Sequence, residues 1–266
     1  PEIQPVDLDL YVDCSGSMPN PQQAFSAITL AGAIVALSAF KAGARVQATL
    51  WSGRGHYQST PGFVRDRQAV LRVLTGYLGG STQFPLNVLR ETYRDRAKNA
   101  RPVHLLVLSD EGVDTILNQD EQGTPGKDLL VQALARGGAG MTLALNVHKG
   151  WKPAAFLKVL EELKIAVHRV QDWDGLIAFA RAFSQASYAA ERSQPFFDLL
   201  DLVQSGPDAI RLAADLGCGS GELTAATAER FGVAEMVGVD SSPAMLAEAA
   251  AHARPGLSFT AGDIGQ

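Results

Sequence analysis

Short apolar runs alternate with longer stretches of helical periodicity along most of this chain. The runs "LDLYV" (8–12), "ARVQATLW" (44–51), "VHLLVLS" (103–109), "MTLALNV" (141–147) and "KIAVHRV" (164–170) are rich in branched aliphatics and predict strands. Helical patterns fill the intervals at 21–41, 66–75, 85–99, 125–136 and 153–163, and a further helix is predicted to start near Asp172 or Asp174. Asn20 is the expected N-cap of the first helix, with Pro21 at its first position. Strands that are apolar almost throughout belong in a parallel sheet buried on both faces. The pattern therefore predicts a doubly wound α/β fold, with a mostly parallel sheet between two layers of helices. Asp7 and Asp9 interrupt the first strand, which places them towards its solvent end.

Near residue 186 the pattern starts again. A polar, Ala/Ser-rich joint, a short amphipathic helix and a Gly-Pro turn span "SQASYAAERSQPFFDLLDLVQSGPD". Strand "IRLAADL" (210–216), helix 221–231, strand "AEMVGVD" (234–240), helix 243–252 and strand "LSFTAGD" (257–263) then predict a second βαβαβ unit that does not repeat the first. Two domains are expected, 1–185 and 187–266.

Composition narrows the function classes. With 46% hydrophobic and 19% charged residues in 266, the chain is globular and long enough for two modest domains. A net charge of −5, with no Lys/Arg cluster, argues against a nucleic-acid partner. The uncharged stretch 21–40 needs a membrane check. Its apolar part, from Ala24 to Phe40, is shorter than the ~20 residues of a spanning helix, and Ser26, Thr29 and Ser38 interrupt it. A helix buried in the α/β domain is expected instead, with no membrane partner. Cys14 and Cys218 lie far apart in separate motifs, which fits a reducing, cytoplasmic compartment. The chain opens at Pro1 beside one strand pattern and ends within another, so both ends read as cut.

The stretch "LYVDCSGSMPNP" carries the first candidate chemistry. Asp13, Ser15 and Ser17 occupy alternate positions just past a strand, where a simple turn has no need of three oxygen side chains in step. Asp110 in "VLSDEG" ends another strand, and "LGGSTQFP" (78–85) offers hydroxyls at Ser81 and Thr82. Ligands of open α/β sheets gather at the carboxyl ends of strands. Two carboxylates and three hydroxyls there would make an all-oxygen shell for Mg²⁺ or Mn²⁺, leaving a coordination position open. "NQDEQG" is not an EF-hand, because its twelfth position would be Leu129. No zinc spacing relates the five histidines, and no base accompanies a nucleophile, so no catalytic residue is assigned.

"DCSGSM", the "GGST" loop and an aspartate after an apolar strand resemble the von Willebrand factor A domain and its metal-ion-dependent adhesion site, over about residues 1 to 185. The resemblance implies metal ligands at Asp13, Ser15, Ser17, Thr82 and Asp110, with Ser81 the neighbour that competes with Thr82. It also implies a protein partner that offers an acidic residue to the metal. For bacterial intracellular A-domain proteins an AAA+ ATPase is such a partner.

"AADLGCGSGELTA" (213–225) follows a predicted strand and opens a predicted helix. Gly217, Gly219 and Gly221 allow a tight turn and close approach of a ligand, and Asp240 ends the next strand, placed for ribose hydroxyls. The G-x-G-x-G spacing departs from the G-x-G-x-x-G of pyrophosphate binders. With "VGVDSSPAMLAEA" and "FTAGDI", the motif resembles class I S-adenosylmethionine-dependent methyltransferases of the trans-aconitate or ubiquinone-biosynthesis type. The resemblance implies a Rossmann-like fold and S-adenosylmethionine contacts from Asp215, Gly217, Gly219, Gly221 and Asp240, with Asp263 near the adenine. Only the cofactor-binding half of such a domain is present. The expectation is a metal-dependent protein-binding module joined to an inactive cofactor-binding half. The alternative is a small-molecule methyltransferase whose first domain recruits a target.

Overall fold

The computed structural model describes residues 5–262 apart from 98 and 202–209. The chain divides into two compact units, Pro1–Glu191 and Arg192–Gln266.

In the first unit, strands β1 (Asp7–Asp13), β2 (Val46–Trp51), β3 (Tyr57–Ser59), β4 (Val103–Ser109), β5 (Gly138–Asn146) and β6 (Ala166–Val170) form one sheet in the order β3-β2-β1-β4-β5-β6. All neighbouring pairs are parallel except β2 with the short edge strand β3. Every residue of β1 and β2 is buried, as a central parallel strand requires. On one face Leu8, Leu10, Val12, Leu106 and Leu108 pack with Ile28 and Val35 of helix α1 (Ala27–Lys41) and Val70 and Leu74 of α2 (Arg67–Leu74). On the other, Tyr11, Trp51, Leu105 and Val107 pack with Leu89 of α3 (Leu86–Arg94), Leu130 of α4 (Gly126–Gly137) and Leu160 of α5 (Ala154–Glu162). Helix α6 (Trp173–Asp201) follows β6. No helix among the described residues is long and apolar enough to cross a membrane.

Four local expectations are corrected. Asn20 caps only a single turn, through Gln22 N–H to its Oδ1 at 2.9 Å. The helix proper starts at Ala27, where Ser26 adopts an extended backbone and accepts from Thr29 N–H. The intervening turn buries nothing that would hold it as helix: Phe25 is 69% exposed. Asp7 and Asp9 are fully buried, not at the solvent end. Asp7 is forked by the Arg45 guanidinium at 2.6 and 3.0 Å, and Tyr93 Oη donates to Asp9 Oδ2 at 2.9 Å. The antiparallel edge strand β3 was not expected. The Ala/Ser-rich joint near 186 is helical, within α6, because that stretch is rich in good helix formers.

In the second unit β7 (Leu212–Leu216), β8 (Glu235–Asp240) and β9 (Leu257–Ala261) form a parallel sheet in the order β7-β8-β9. Helix α7 (Glu222–Phe231) joins the first two, and α8 (Pro243–Ala249) with a 3-10 turn joins the last two. The core is small: Ala225, Ala228, Met236 and Leu257. Leu212 and Leu216 of β7 are 69% and 62% exposed.

Candidate functional site

β1 leads through α1 to β2 on one side, whereas β4 pairs with β1 on the other. The carboxyl ends of β1 and β4 therefore mark the point where the winding reverses, the place where open α/β sheets bind ligands. Asp13 is the last residue of β1 and is 1% exposed. Its Oδ1 accepts from Ser15 N–H at 2.8 Å and its Oδ2 from Ser109 Oγ at 2.6 Å. Ser15 Oγ lies 3.2 Å from Ser17 Oγ, which donates to Asp110 Oδ2 at 2.8 Å. One chain of hydrogen bonds thus runs from Asp13 to Asp110.

The Gly-rich loop closes over this chain. Gly16 N–H donates to Gly80 O at 2.8 Å, and Gly79 N–H to Cys14 O at 3.0 Å. A methyl placed on Gly112 would meet Thr82 Cγ2 at 2.7 Å and Asp110 Oδ1 at 3.3 Å, so Thr82 sits beside Asp110. Ser81 Oγ instead faces Gly53, within 2.7 Å of where a Cβ there would stand. The structure brings Asp13, Ser15, Ser17, Thr82 and Asp110 to one rim, and Ser81 points elsewhere.

Burial pushes the Asp13 carboxyl up to about 6, against hydrogen bonds from Ser109 and Ser15 that pull it down, and the Asp110 charge adds to the rise. Among the described residues neither carboxylate has an ion-pair partner. Two carboxylates uncompensated by a cation, flanked by hydroxyls, form a donor set whose chemistry fits a hard divalent ion. No group of three or more His, Cys, Asp or Glu side chains suited to a metal occurs among the described residues, so hydroxyls would have to complete the shell.

Two neighbours went unrecognised in the sequence. Ser109, which holds Asp13, was legible as a polar residue on the core-facing register of β4. His148 donates its backbone N–H to Glu111 Oε1 at 3.2 Å and places Nδ1 2.5 Å from the same oxygen. These contacts hold the Glu111 carboxyl below its usual range. Nothing local to either residue announced that pairing.

In the second unit the glycine turn follows β7. Gly217, Gly219 and Gly221 have φ of +82°, +54° and +77°, the left-handed region that favours glycine. A Cβ on Gly217 or Gly219 would meet nothing within 4 Å, so these two leave the backbone open to a ligand. On Gly221 it would strike the Phe259 ring at 2.7 Å and Ala249 at 2.9 Å, so this glycine serves packing beneath the turn. Asp240 ends β8 and accepts from Gly219 N–H at 2.9 Å and Ser242 N–H at 2.8 Å, bonds that lower its carboxyl. Asp215 Oδ2 accepts from Thr224 Oγ1 at 2.6 Å, tying β7 to α7. Asp263 lies outside the described residues.

Residues 213–266 match the family model described as a methyltransferase domain. This segment is similar to methyltransferase domains. A 73-residue stretch of the chain is 51% identical to trans-aconitate 2-methyltransferase of Deinococcus radiodurans, covering 27% of this chain and 28% of that protein. The enzyme of the same name from Escherichia coli O139:H28 is 47% identical over 77 residues, 29% of each chain. The chain thus spans under a third of the length of these curated relatives.

The first unit is an α/β sheet of six strands, mostly parallel, with the order β3-β2-β1-β4-β5-β6. Among solved structures, the pilus adhesin SpaC from Lactobacillus rhamnosus GG overlaps 71% of this chain and 30% of its own, at TM-score 0.49 and 14% identity. BatB from Bacteroides thetaiotaomicron overlaps 71% of this chain and 99% of its own, at 0.45 and 12%.

Proposed function

We propose that the first unit is a metal-dependent protein-binding module and the second the S-adenosylmethionine-binding part of a methyltransferase. The observation that carries the first half is the convergence of Asp13, Ser15, Ser17, Thr82 and Asp110 on one rim. Mg²⁺ or Mn²⁺ would bind there, with Ser109 and the Ser15 amide orienting Asp13. Because three of the five side chains are neutral, the bound ion keeps net positive character and attracts an acidic side chain of a partner. An AAA+ ATPase is the partner class that the family resemblance implies. A cytoplasmic location accords with two free, buried cysteines.

For the second unit, the open backbone at Gly217 and Gly219 and the acid at Asp240 support binding of S-adenosylmethionine, while Asp215 anchors the turn. We infer that the described residues of this unit do not by themselves transfer a methyl group. Its second sheet has three described strands, and Leu212 and Leu216 of β7 are exposed. Holding an acceptor beside the methyl group contributes on the order of 7–11 kcal/mol in well-oriented systems. The match to trans-aconitate 2-methyltransferases favours a second reading, in which a longer protein is a small-molecule methyltransferase and the first unit recruits its target.

Both halves are testable. Partner captured on the immobilised chain in Mg²⁺ should be released by EDTA and return with Mg²⁺; capture indifferent to EDTA contradicts the metal reading. Incubation with labelled S-adenosylmethionine and a panel of small carboxylic acids and phenols should give no turnover above background. Turnover would contradict the assignment of inactivity.

A further inference from the structure

A cavity of the first unit, lined in part by Gln83, the residue after Thr82, is built from different chemistry than the rim around Asp13. Its volume is about 450 Å³, within the size range of small-ligand sites. Phe84 and Leu86, both buried, supply apolar floor, and Tyr57 forms a wall. Around this floor stand four carboxamides, from Gln83, Asn87, Asn118 and Gln119. Arg54 and Glu121 line it as well.

These polar groups are tethered to one another before any ligand arrives. Asn87 Nδ2 donates to Tyr57 Oη at 3.0 Å, which fixes the ring. Asn118 Nδ2 donates to Gln83 Oε1 at 3.1 Å, and Gln83 Nε2 to Thr115 O at 3.3 Å. The loop that carries Asn118 to Glu121 is pinned from beneath by buried Arg90, which pairs with Asp120 and Glu121. Asp120 Oδ1 also accepts from Gln122 and Thr124 N–H groups at 2.9 and 2.8 Å, closing that loop on itself. Gln83 is engaged on both sides of its carboxamide, whereas the other tethers use one side of a group and leave the other. Asn87 Oδ1, Asn118 Oδ1, the Gln119 carboxamide, the Tyr57 hydroxyl hydrogen and the Arg54 guanidinium have no partner among the described residues.

We infer that this cavity binds a neutral polyhydroxylated ring, the chemistry of a hexose unit in a glycan. A carboxamide both donates and accepts, as a sugar hydroxyl does, so the free sides of Asn87, Asn118 and Gln119 can meet vicinal hydroxyls. An apolar floor with an aromatic wall suits the C–H face of a pyranose. Charge points the same way. Arg90 pairs with both Asp120 and Glu121, and Arg54 adds the second positive charge, so the charges around the cavity cancel and neither a strongly anionic nor a cationic ligand is favoured. Groups already held in place lose little freedom on binding, which is what a shallow polar site needs. Gln83 follows the metal-rim Thr82 directly in sequence, yet no group that spans this cavity is a proposed metal ligand, so occupancy should not require the ion.

The test is an amide-resolved NMR titration of the full chain with the methyl glycosides of glucose, mannose, galactose and N-acetylglucosamine, each in Mg²⁺ and in EDTA. At least one should cause saturable shifts in the side-chain amide signals of Asn87, Asn118 and Gln119. A dissociation constant on the order of 1 mM is expected. The shifts should be the same with and without Mg²⁺. Asn87→Ala and Asn118→Ala should each weaken binding about tenfold while leaving the thermal melt unchanged, since neither touches the Arg90–Asp120 anchor. Glycerol, which has hydroxyls but no ring, should cause no saturable shift. Absence of saturable shifts with all four glycosides would overturn the inference, as would shifts that persist in both variants.

Discussion

The buried carboxyl of Asp9 has one oxygen bonded to Tyr93 Oη and the other, Oδ1, without a partner among the described residues. Burial pushes this group up to about 7, while the hydrogen bond from Tyr93 and the charge of Arg96 pull it down. The native state therefore keeps a proton on Asp9 across a range in which the unfolded chain, near 3.8, has lost it. Where the native state binds more protons, stability falls as pH rises. Asp9 should thus erode stability between pH 4 and 7, by about 4 kcal/mol in total, and change nothing further above that window. Asp9→Asn keeps the Tyr93 bond and cannot ionise. Denaturant unfolding from pH 4 to 8 should show the variant gaining on the parent chain as pH rises. Parallel curves would contradict this. The sequence marked Asp9 as an anomaly in an apolar strand but misplaced it, because its partner Tyr93 arrives from 84 residues away. Asp13, by contrast, was legible, since its companions Ser15 and Ser17 are local.

At the scale of elements, strands were read well where a continuous apolar run announced them, as in β4. The edge strand β3 escaped because its three residues, Tyr57–Ser59, carry no periodicity, and only pairing with β2 makes them a strand. Helix α1 began later than Pro21 because a cap residue reports a turn, whereas burial decides whether the turn is continued. The glycine turn shows the same division between local and tertiary causes. Its motif was plain, but which glycine faces a ligand and which packs was not. Gly219→Ala places a methyl in open space, so strain at positive φ, roughly 1–2 kcal/mol, is its main cost. Gly221→Ala adds a collision with Phe259 and Ala249, which typically costs a further 1–3 kcal/mol. Hydrogen exchange of the β8 and β9 amides should accelerate far more in Gly221→Ala than in Gly219→Ala. S-adenosylmethionine binding should be lost in Gly219→Ala with protection largely kept. Equal protection in the two variants would contradict the packing role.

The whole molecule combines two units whose sites follow one rule: each lies where loops leave the carboxyl ends of parallel strands. They differ in what remains around the site. The first unit has a six-stranded sheet with a core on both faces, and its rim is held by the hydrogen bonds of Asp13, Ser15 and Ser17. The second has three described strands and a small core. Function is therefore argued most directly from the first unit, where the central claim is that a divalent ion binds. The measurement is calorimetric titration of the metal-free full chain with Mg²⁺ and Mn²⁺, beside Asp13→Ala. The account predicts one ion per chain for the parent. In the variant binding should be lost while the melting temperature of the metal-free protein stays the same or rises, since a buried carboxylate has been removed. Absence of binding to the parent chain, or equal affinity in Asp13→Ala, would contradict it.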